Sequence, residues 1–222
     1  LYADLLDRPE YVLGAGSDTK VTFGALLEIG VVISNIGTAV AFFPILRRFS
    51  ESVSLAYVAS RIFESSMIAV GIMSLLAVLT LRQEIGGADA ADAAGLVAAT
   101  SALLAVHDWT FLFGPAFCAG FGNGVLLGYL MYKSRLMPRR MAMIGIIGGP
   151  IAFGNAVAVL FGAYEQMSVP SLIFTGPEIV WELCVGFYLT TKAITLGRSR
   201  RSGYALSNES LDDAVGVPAA GA

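Results

Sequence analysis

The stretch SLAYVASRIFESSMIAVGIMSLLAVLTL, residues 54–81, decides the fold of this chain. It is long enough to cross the ~30 Å hydrocarbon layer of a bilayer, which needs about 20 apolar residues in a helix. Its apolar residues do not alternate with polar ones, so the stretch predicts a membrane-spanning α-helix and not a barrel strand. Two charged residues, Arg61 and Glu64, interrupt it. They raise the question of what charges do inside a membrane.

Four further stretches of this kind predict an all-α protein, a polytopic transmembrane helix bundle with five spans in this chain. An Ala-rich segment over residues 88–106 precedes the third span. For this segment we favour a helix that lies on the outer membrane face or leans into it, over an N-terminal extension of the third span. The predicted spans are Val21–Leu46, Ser54–Leu81, Thr110–Tyr132, Met141–Ala163 and Leu172–Leu196.

The composition also indicates a membrane protein. The chain is 56% hydrophobic and only 14% charged, whereas soluble domains carry roughly 25% charged residues. Its net charge of −3 gives no reason to expect nucleic acid as a partner, and the lipid bilayer is the predicted one. Cys118 and Cys184 lie inside apolar segments, which argues against a disulfide framework. The single histidine, His107, excludes a multi-histidine metal site, so no metal is predicted and the cofactor stays unknown.

Charged residues differ between the two sets of loops. Basic residues follow the first and fifth spans and separate the third from the fourth, whereas acidic residues dominate the other loops. Since Lys and Arg favour the cytoplasmic side, we predict a plasma-membrane protein with the N-terminus of this chain outside and its C-terminus in the cytoplasm. Residues 1–20 are then an extracytoplasmic acidic loop, 21–197 the bundle and 198–222 a disordered cytoplasmic tail. The basic residues are Arg47, Arg48, Lys133, Arg135, Arg139, Arg140, Arg198, Arg200 and Arg201.

Polar side chains within the spans are candidates for binding a ligand or an ion. A charge at the bilayer centre costs at least ~2.5–3.5 kcal/mol on insertion scales, so such side chains should turn inward. At a rise of ~1.5 Å per residue, Glu64 and Glu182 reach the midplane, whereas Glu178 falls in the outer third. These depths predict an acidic cavity open to the outside, with Glu64 and Glu182 near its floor. The binding candidates are Glu28, Arg61, Glu64, His107, Asp108, Glu178 and Glu182.

Arg61 and Glu64 share one face of the second span, because they are three residues apart. If the second and fifth spans are neighbours, Arg61 neutralises carboxylates from both, and Glu182 is the partner we expect first. Two interpretations stay open for these charges: a buried network that holds the helices in register, and a ligand, ion or proton site. We lean narrowly toward the structural role for Arg61.

His107 and Asp108 form a second polar cluster. A histidine beside a carboxylate can transfer protons near neutral pH. We favour a simpler interpretation, in which both lie at the membrane interface and Asp108 caps the start of the third span.

Glycine recurs every four residues in two of the spans. Small residues at this spacing allow close contact between helices. We therefore expect tight helix packing, and a homo-oligomer through the glycine-rich helix 110–132. The glycines are Gly120, Gly124 and Gly128 in the third span and Gly145 and Gly149 in the fourth.

Several segments together resemble an uncharacterised bacterial family of small multi-pass membrane proteins, described as a domain of unknown function. The resemblance extends from about Tyr11 to Lys192, and the RIFES and YKSRLMPR stretches are its most specific parts. It implies six helices, with a first helix that precedes the acidic loop, and it carries over no catalytic residue. The segments are LLEIGVVISNIGTAVAFFPILRR, YVASRIFESSMIAVGIMSLLAVLTL, HDWTFLFGP, GYLMYKSRLMPRR and WELCVGFYLTTK, in this order.

Three functions are compatible with these features. The leading hypothesis is an intramembrane polar or carboxylate cavity that binds or transports a small molecule, an ion or a proton. The second is an intramembrane enzyme acting on lipid, with the carboxylates and His107 as metal ligands or acid–base groups. No strong catalytic motif is present, and we lean away from an enzyme. The third is a structural or regulatory membrane subunit whose charges serve folding and assembly.

Overall fold

The computed structural model describes most of the chain. Its backbone is described over residues 2–6, 8–14, 17–84 and 90–215, and side chains are described for these residues except 3–4, 84, 90–92 and 193–215. The chain divides into two compact units, Leu1–Trp181 and Glu182–Ala222. The second unit contains the C-terminal part of the last helix.

Helices make up every regular element of the described residues, which confirms the predicted all-α fold. Most are α-helices, and two π-helical segments interrupt the middle of the chain. The elements are α1 (Ala3–Leu6), a 3-10 helix (Pro9–Leu13), α2 (Asp18–Leu46), α3 (Glu51–Glu84), α4 (Ala90–Phe111), π1 (Leu112–Ala116), π2 (Ala119–Leu127), α5 (Gly128–Ser134), α6 (Arg139–Leu160) and α7 (Val169–Val215).

Five helical stretches of the described residues are long and apolar enough to cross a membrane, which confirms the five predicted spans. The kind of membrane and the side that each terminus faces stay predictions. The structure continues α7 as far as Val215, and for residues 216–222, which lie outside the described part, the disordered tail stays a prediction. The stretches are Asp18–Leu46, Glu51–Gln83, Ala93–Ser134, Arg139–Leu160 and Val169–Lys192.

The third span is longer than predicted. α4 continues without a break through π1, π2 and α5, so Ala93–Ser134 is one helix of 42 residues. The expectation of a separate surface helix over 88–106 is therefore wrong for residues 90–106, and residues 88–89 lie outside the described part. At ~1.5 Å per residue this helix is about 63 Å long, roughly twice the hydrocarbon thickness. One end must therefore extend beyond the bilayer.

The N-terminal segment packs against the C-terminal half of α3 and against α4. Leu5 and Tyr11 are fully buried in one apolar cluster with Leu75 and Val78 of α3 and Leu104 of α4. Burying these side chains against each other removes apolar surface from solvent, which stabilises the packing. This contact explains why residues 90–106 stay helical and attached to α3.

An ion pair beside this N-terminal region joins the end of α3 to the start of α2. The Arg82 guanidinium lies 2.8 Å from Oδ1 of Asp18, and it stands 4.4 Å above the centre of the Tyr11 ring. The Tyr11 hydroxyl donates a hydrogen bond of 2.9 Å to the same carboxylate oxygen. Burial, and then the hydrogen bond to the Asp18 carboxylate, raise the pKa of Tyr11 to about 12.

The glycine repeats pack the third span tightly against α6. A Cβ atom on Gly120 would lie 2.6 Å from the backbone nitrogen of Phe153, and one on Gly124 would lie 2.3 Å from Cα of Gly149. Real Cβ atoms do not come this close to backbone, so only glycine fits. The prediction of close packing is confirmed. α6 of the same chain covers this stripe, and the homo-oligomer through helix 110–132 stays a prediction.

Two basic loops lie at the same end of the first unit. α2 and α3 run in opposite directions, and α3 is antiparallel to the long third span, since Gly71 meets Thr110 while Gly122 meets Ser60. The loop after α2 and the loop before α6 are therefore on one side. They carry Arg47, Arg48, Arg135 and, at the start of α6, Arg139 and Arg140.

Candidate functional site

Arg61, Glu64 and Asn35 form a closed polar triangle between α2 and α3. The Arg61 Nη1 atom donates to Oε2 of Glu64 at 2.7 Å, and its Nη2 atom donates to Oδ1 of Asn35. Asn35 completes the triangle by donating from Nδ2 to Oε1 of Glu64 at 3.3 Å. The partners of Arg61 in the structure are therefore a side chain of its own helix and an amide of the preceding span.

All three members of the triangle are buried, with 9%, 6% and 8% of Arg61, Glu64 and Asn35 exposed. Removing two charges from water is costly, and their attraction offsets this only if further hydrogen bonds satisfy them. The Asn35 amide supplies such bonds to both partners. The triangle has no net formal charge, which lowers the free-energy cost of keeping a guanidinium within a span.

Glu178 is the buried carboxylate of the fifth span. Only 1% of it is exposed. It lies between glycines of two other helices, because a Cβ on Gly124 would be 2.6 Å from its Oε2 atom and one on Gly148 would be 3.3 Å from its backbone nitrogen. Gly148 lies near the middle of α6, Arg139–Leu160. Glu178 therefore lies beside the middle of α6, and its depth in a membrane stays a prediction.

Trp181 anchors the same turn of α7. Its ring is completely buried, and its Nε1–H donates to the backbone oxygen of Asn123 at 2.9 Å. A Cβ on Gly145 would overlap the indole ring, at 2.5 Å from Cε2. The glycine in α6 thus makes room for the ring, and the ring holds Glu178, one turn earlier, in register against π2.

Glu182 does not turn inward as expected, because its side chain is exposed. Its predicted place at the floor of a cavity rested on a depth estimate that ignores rotation about the helix axis. Glu178 and Trp181 are both buried, so the inward face of α7 is already defined by these two residues. Glu182 follows Trp181 directly and is rotated by about 100° from it.

The π-helical segments separate the two buried carboxylates. On one side, Gly114 of π1 lies against Met67 and the backbone oxygen of Glu64. On the other side, Gly124 of π2 lies against Glu178. π-Helical turns are rare and are frequently found at functional sites. Sequence reasoning missed these segments, since no residue pattern distinguishes them from α-helix.

Glu28 and His107 meet through a residue that the sequence did not single out. The Tyr2 hydroxyl donates to Oε2 of Glu28 at 3.1 Å, and the Tyr2 ring packs edge-on against His107 with 6.3 Å between centroids. Burial, and then the charge of Glu28, raise the pKa of Tyr2 above its ordinary value. His107 is 7% exposed and stacks on Phe111 at 6.2 Å.

Asp108 belongs to a separate site. Its side chain is exposed, whereas that of His107 is buried, and Nδ1 of His107 lies 3.6 Å from Oδ1 of Asp108. Asp108 lines a cavity of about 350 Å³ together with Trp109, Tyr164 and Glu165. The third span and the α6–α7 connection together form this cavity.

A hydrogen-bond network supports one wall of that cavity. The Tyr164 hydroxyl donates to Oδ1 of Asn155 at 2.7 Å. Nδ2 of Asn155 donates in turn to the hydroxyl oxygens of Ser171 and Thr175, both at 3.1 Å. Asn155 lies within the fourth predicted span, but its partners are distant in sequence and were not predicted.

Metal binding has no support from side-chain clustering. Among the described residues, no group of three or more His, Cys, Asp or Glu side chains is arranged to hold a metal ion. The free thiols Cys118 and Cys184 are buried and half-buried, respectively.

Comparison with known proteins agrees with the resemblance seen in the sequence. A family model described as "Domain of unknown function (DUF4386)" matches residues 1–193, which include all five candidate spans. No curated protein and no solved structure matches the chain. The expected uncharacterised family is therefore confirmed, and the sixth helix stays a prediction.

Proposed function

This chain belongs to that family of unknown function, and we propose that it is a membrane protein that binds a proton or a small cation at carboxylates buried within its spans. The binding would serve transport or sensing. One observation carries the proposal: the described spans bury the guanidinium of Arg61 and two carboxylates, those of Glu64 and Glu178.

The burial of the Glu178 carboxylate supports the binding of a proton or a small cation there. A buried net charge in a low-dielectric interior is expensive. Glu178 is 1% exposed, and a proton or cation bound at its carboxylate would lower the cost of burying it. It packs against glycine positions in π2 and α6.

Proton flux through reconstituted protein tests this proposal. The protein is placed in liposomes that contain a trapped pH-sensitive dye, and a potassium diffusion potential drives proton entry. We expect flux above that of protein-free liposomes, reduced to that background in Glu178→Gln and partly retained in Glu178→Asp. Glu182→Gln is the matched control, because it removes an exposed carboxylate one turn away on the same helix. A parallel assay with a sodium gradient distinguishes a proton from a small cation.

Unchanged proton and sodium flux in a folded Glu178→Gln variant would refute the proposal. Circular dichroism and gel filtration in detergent establish whether the variant is folded. If it is not folded, Glu178→Asp decides the matter, since it keeps the carboxyl group and moves it by about one C–C bond.

A structural or regulatory subunit is the second candidate, and the closed Asn35–Arg61–Glu64 triangle favours it. A buried charge pair with a hydrogen-bonded amide beside it can serve to fix helix register. Under this hypothesis, the wild-type protein shows no ion flux. The double variant Arg61→Leu with Glu64→Leu then impairs assembly with a partner. Co-purification of the native and variant proteins from membranes tests it.

We further propose the predicted orientation, with the basic loops on the cytoplasmic side of the plasma membrane. Their location at one end of the first unit supports it, together with the preference of Lys and Arg for that side. Single cysteines introduced at Arg48 and at Gln166, in a background without Cys118 and Cys184, report the orientation through labelling by a membrane-impermeant thiol reagent. Labelling of the Arg48 position in intact cells would contradict it.

A further inference from the structure

The cavity at Asp108 combines negative charge with aromatic walls. It has a volume of about 350 Å³, which lies in the range of small-molecule sites. Two carboxylates line it, and no Lys, Arg or His is among its lining residues. The residues used below are Asp108, Trp109, Leu112, Tyr164, Glu165 and Gln166.

We propose that this cavity binds a small organic cation, an amine or quaternary ammonium group with an apolar body. Carboxylates attract the positive charge, and the faces of Trp and Tyr rings attract cations through their quadrupoles. Leu112 adds apolar surface, and Gln166 adds a polar group. An inorganic cation would gain nothing from the apolar part of this lining, and an anion would be repelled.

The aromatic walls are held in place before any ligand arrives. Tyr164 is fixed by its hydrogen bond of 2.7 Å to Asn155, which in turn is held by Ser171 and Thr175. Trp109 packs against Phe113 with 6.1 Å between ring centroids, while half of its surface stays exposed. Side chains that are ordered in advance lose less entropy on binding, which favours affinity.

The same chemistry has two sources near a membrane. A dissolved amine can supply the cationic group, and so can the choline headgroup of a phospholipid. Because Asp108 and Glu165 are exposed, a dissolved amine and a lipid headgroup can both reach the cavity. The experiment therefore needs separate arms for the two sources.

Equilibrium binding of benzyltrimethylammonium tests the proposal in an uncharged maltoside detergent. Tryptophan fluorescence is followed during the titration, since Trp109 lines the cavity and the other tryptophan, Trp181, is buried elsewhere. We expect a saturable change that is lost in Trp109→Phe. The double variant Asp108→Asn with Glu165→Gln should bind at least about tenfold more weakly, because the charge attraction is removed.

Three controls make this result specific. The uncharged isostere neopentylbenzene should give no saturable change. Glu51→Gln, which removes an exposed carboxylate at the start of α3, should bind like the wild type. Calorimetric titration of the Asp108/Glu165 double variant repeats the measurement without relying on fluorescence.

Competition then distinguishes the two sources. A short-chain phosphatidylcholine that displaces the probe, while phosphatidylglycerol does not, assigns the site to a lipid headgroup. Failure of both to displace it assigns the site to a dissolved cation. The proposal is overturned if no saturable binding occurs, or if the double variant binds as tightly as the wild type. Since no ion gradient is used, the outcome is independent of the flux assay for Glu178.

Discussion

The Oε2 atom of Glu178 lies 2.6 Å from the position that a Cβ atom on Gly124 would occupy. The carboxylate of the fifth span thus occupies the space left by a missing side chain in the third. Glycine at this position serves two contacts at once, because Cα of Gly149 lies 2.3 Å from the same point. The stripe that suggested helix packing and the carboxylate that suggested a site are therefore one structural feature.

Gly124→Ala should strongly destabilise the protein. The added methyl group meets the backbone of Gly149, which cannot move aside without shifting α6. Overpacking of this kind typically costs about 1–3 kcal/mol in free energy of unfolding. Thermal unfolding in detergent, followed by circular dichroism, measures the effect. Gly154→Ala is the control, since a Cβ there meets nothing within 4 Å. Equal melting temperatures for the two variants would contradict the packing described here.

Arg61→Leu alone should be more harmful than the double variant Arg61→Leu with Glu64→Leu. The single change leaves a buried carboxylate without its charge partner, which costs about 3–5 kcal/mol. The double change removes both charges and should recover most of the stability. A double-mutant cycle on the free energy of unfolding measures the coupling between the two residues. Additive effects would show that the 2.7 Å contact between their side chains contributes nothing.

Tyr164→Phe should lower the stability by about 1 kcal/mol, because it removes one hydrogen bond to the buried amide of Asn155. Tyr129→Phe is the matched control. Tyr129 is 41% exposed, and its contact with Lys133 involves the ring, which phenylalanine keeps. The melting temperature should fall only in the first variant. A fall of the same size in both would mean that the Asn155 network does not stabilise the fold.

Stability should fall between about pH 10 and pH 12, in part through Tyr11. Its pKa is raised from an ordinary value of 10.0 to about 12 in the folded protein. Below pH 10 both states keep the proton, so the contribution is fully present. As the pH rises further, the unfolded chain loses this proton first, which favours unfolding. Tyr11→Phe should show a shallower decrease of melting temperature over this range. Identical pH profiles would exclude Tyr11 as a contributor.

Much of the site could be anticipated from composition and spacing, whereas the pairing of its members could not. The i, i+3 spacing of Arg61 and Glu64 predicted a contact that the structure contains. The Asn35 partner was not predicted, because it depends on the register between α2 and α3. Glu182 was expected to turn inward, whereas Glu178 is the buried carboxylate, and the cause is similar. Depth along a helix follows from residue counting, but rotation about its axis follows from what packs against it.

The amino-acid sequence by itself determined that this is an all-helical membrane protein with five apolar spans. Hydrophobic length and the absence of alternation leave few other ways to satisfy the backbone in lipid. Only the tertiary structure decided which polar groups meet: Asn35 with Arg61, Tyr2 with Glu28, and Glu178 with the glycines of π2 and α6. These contacts join residues far apart in the chain. Their geometry is set by helix register and by π-helical turns, which are properties of packing and not of local sequence.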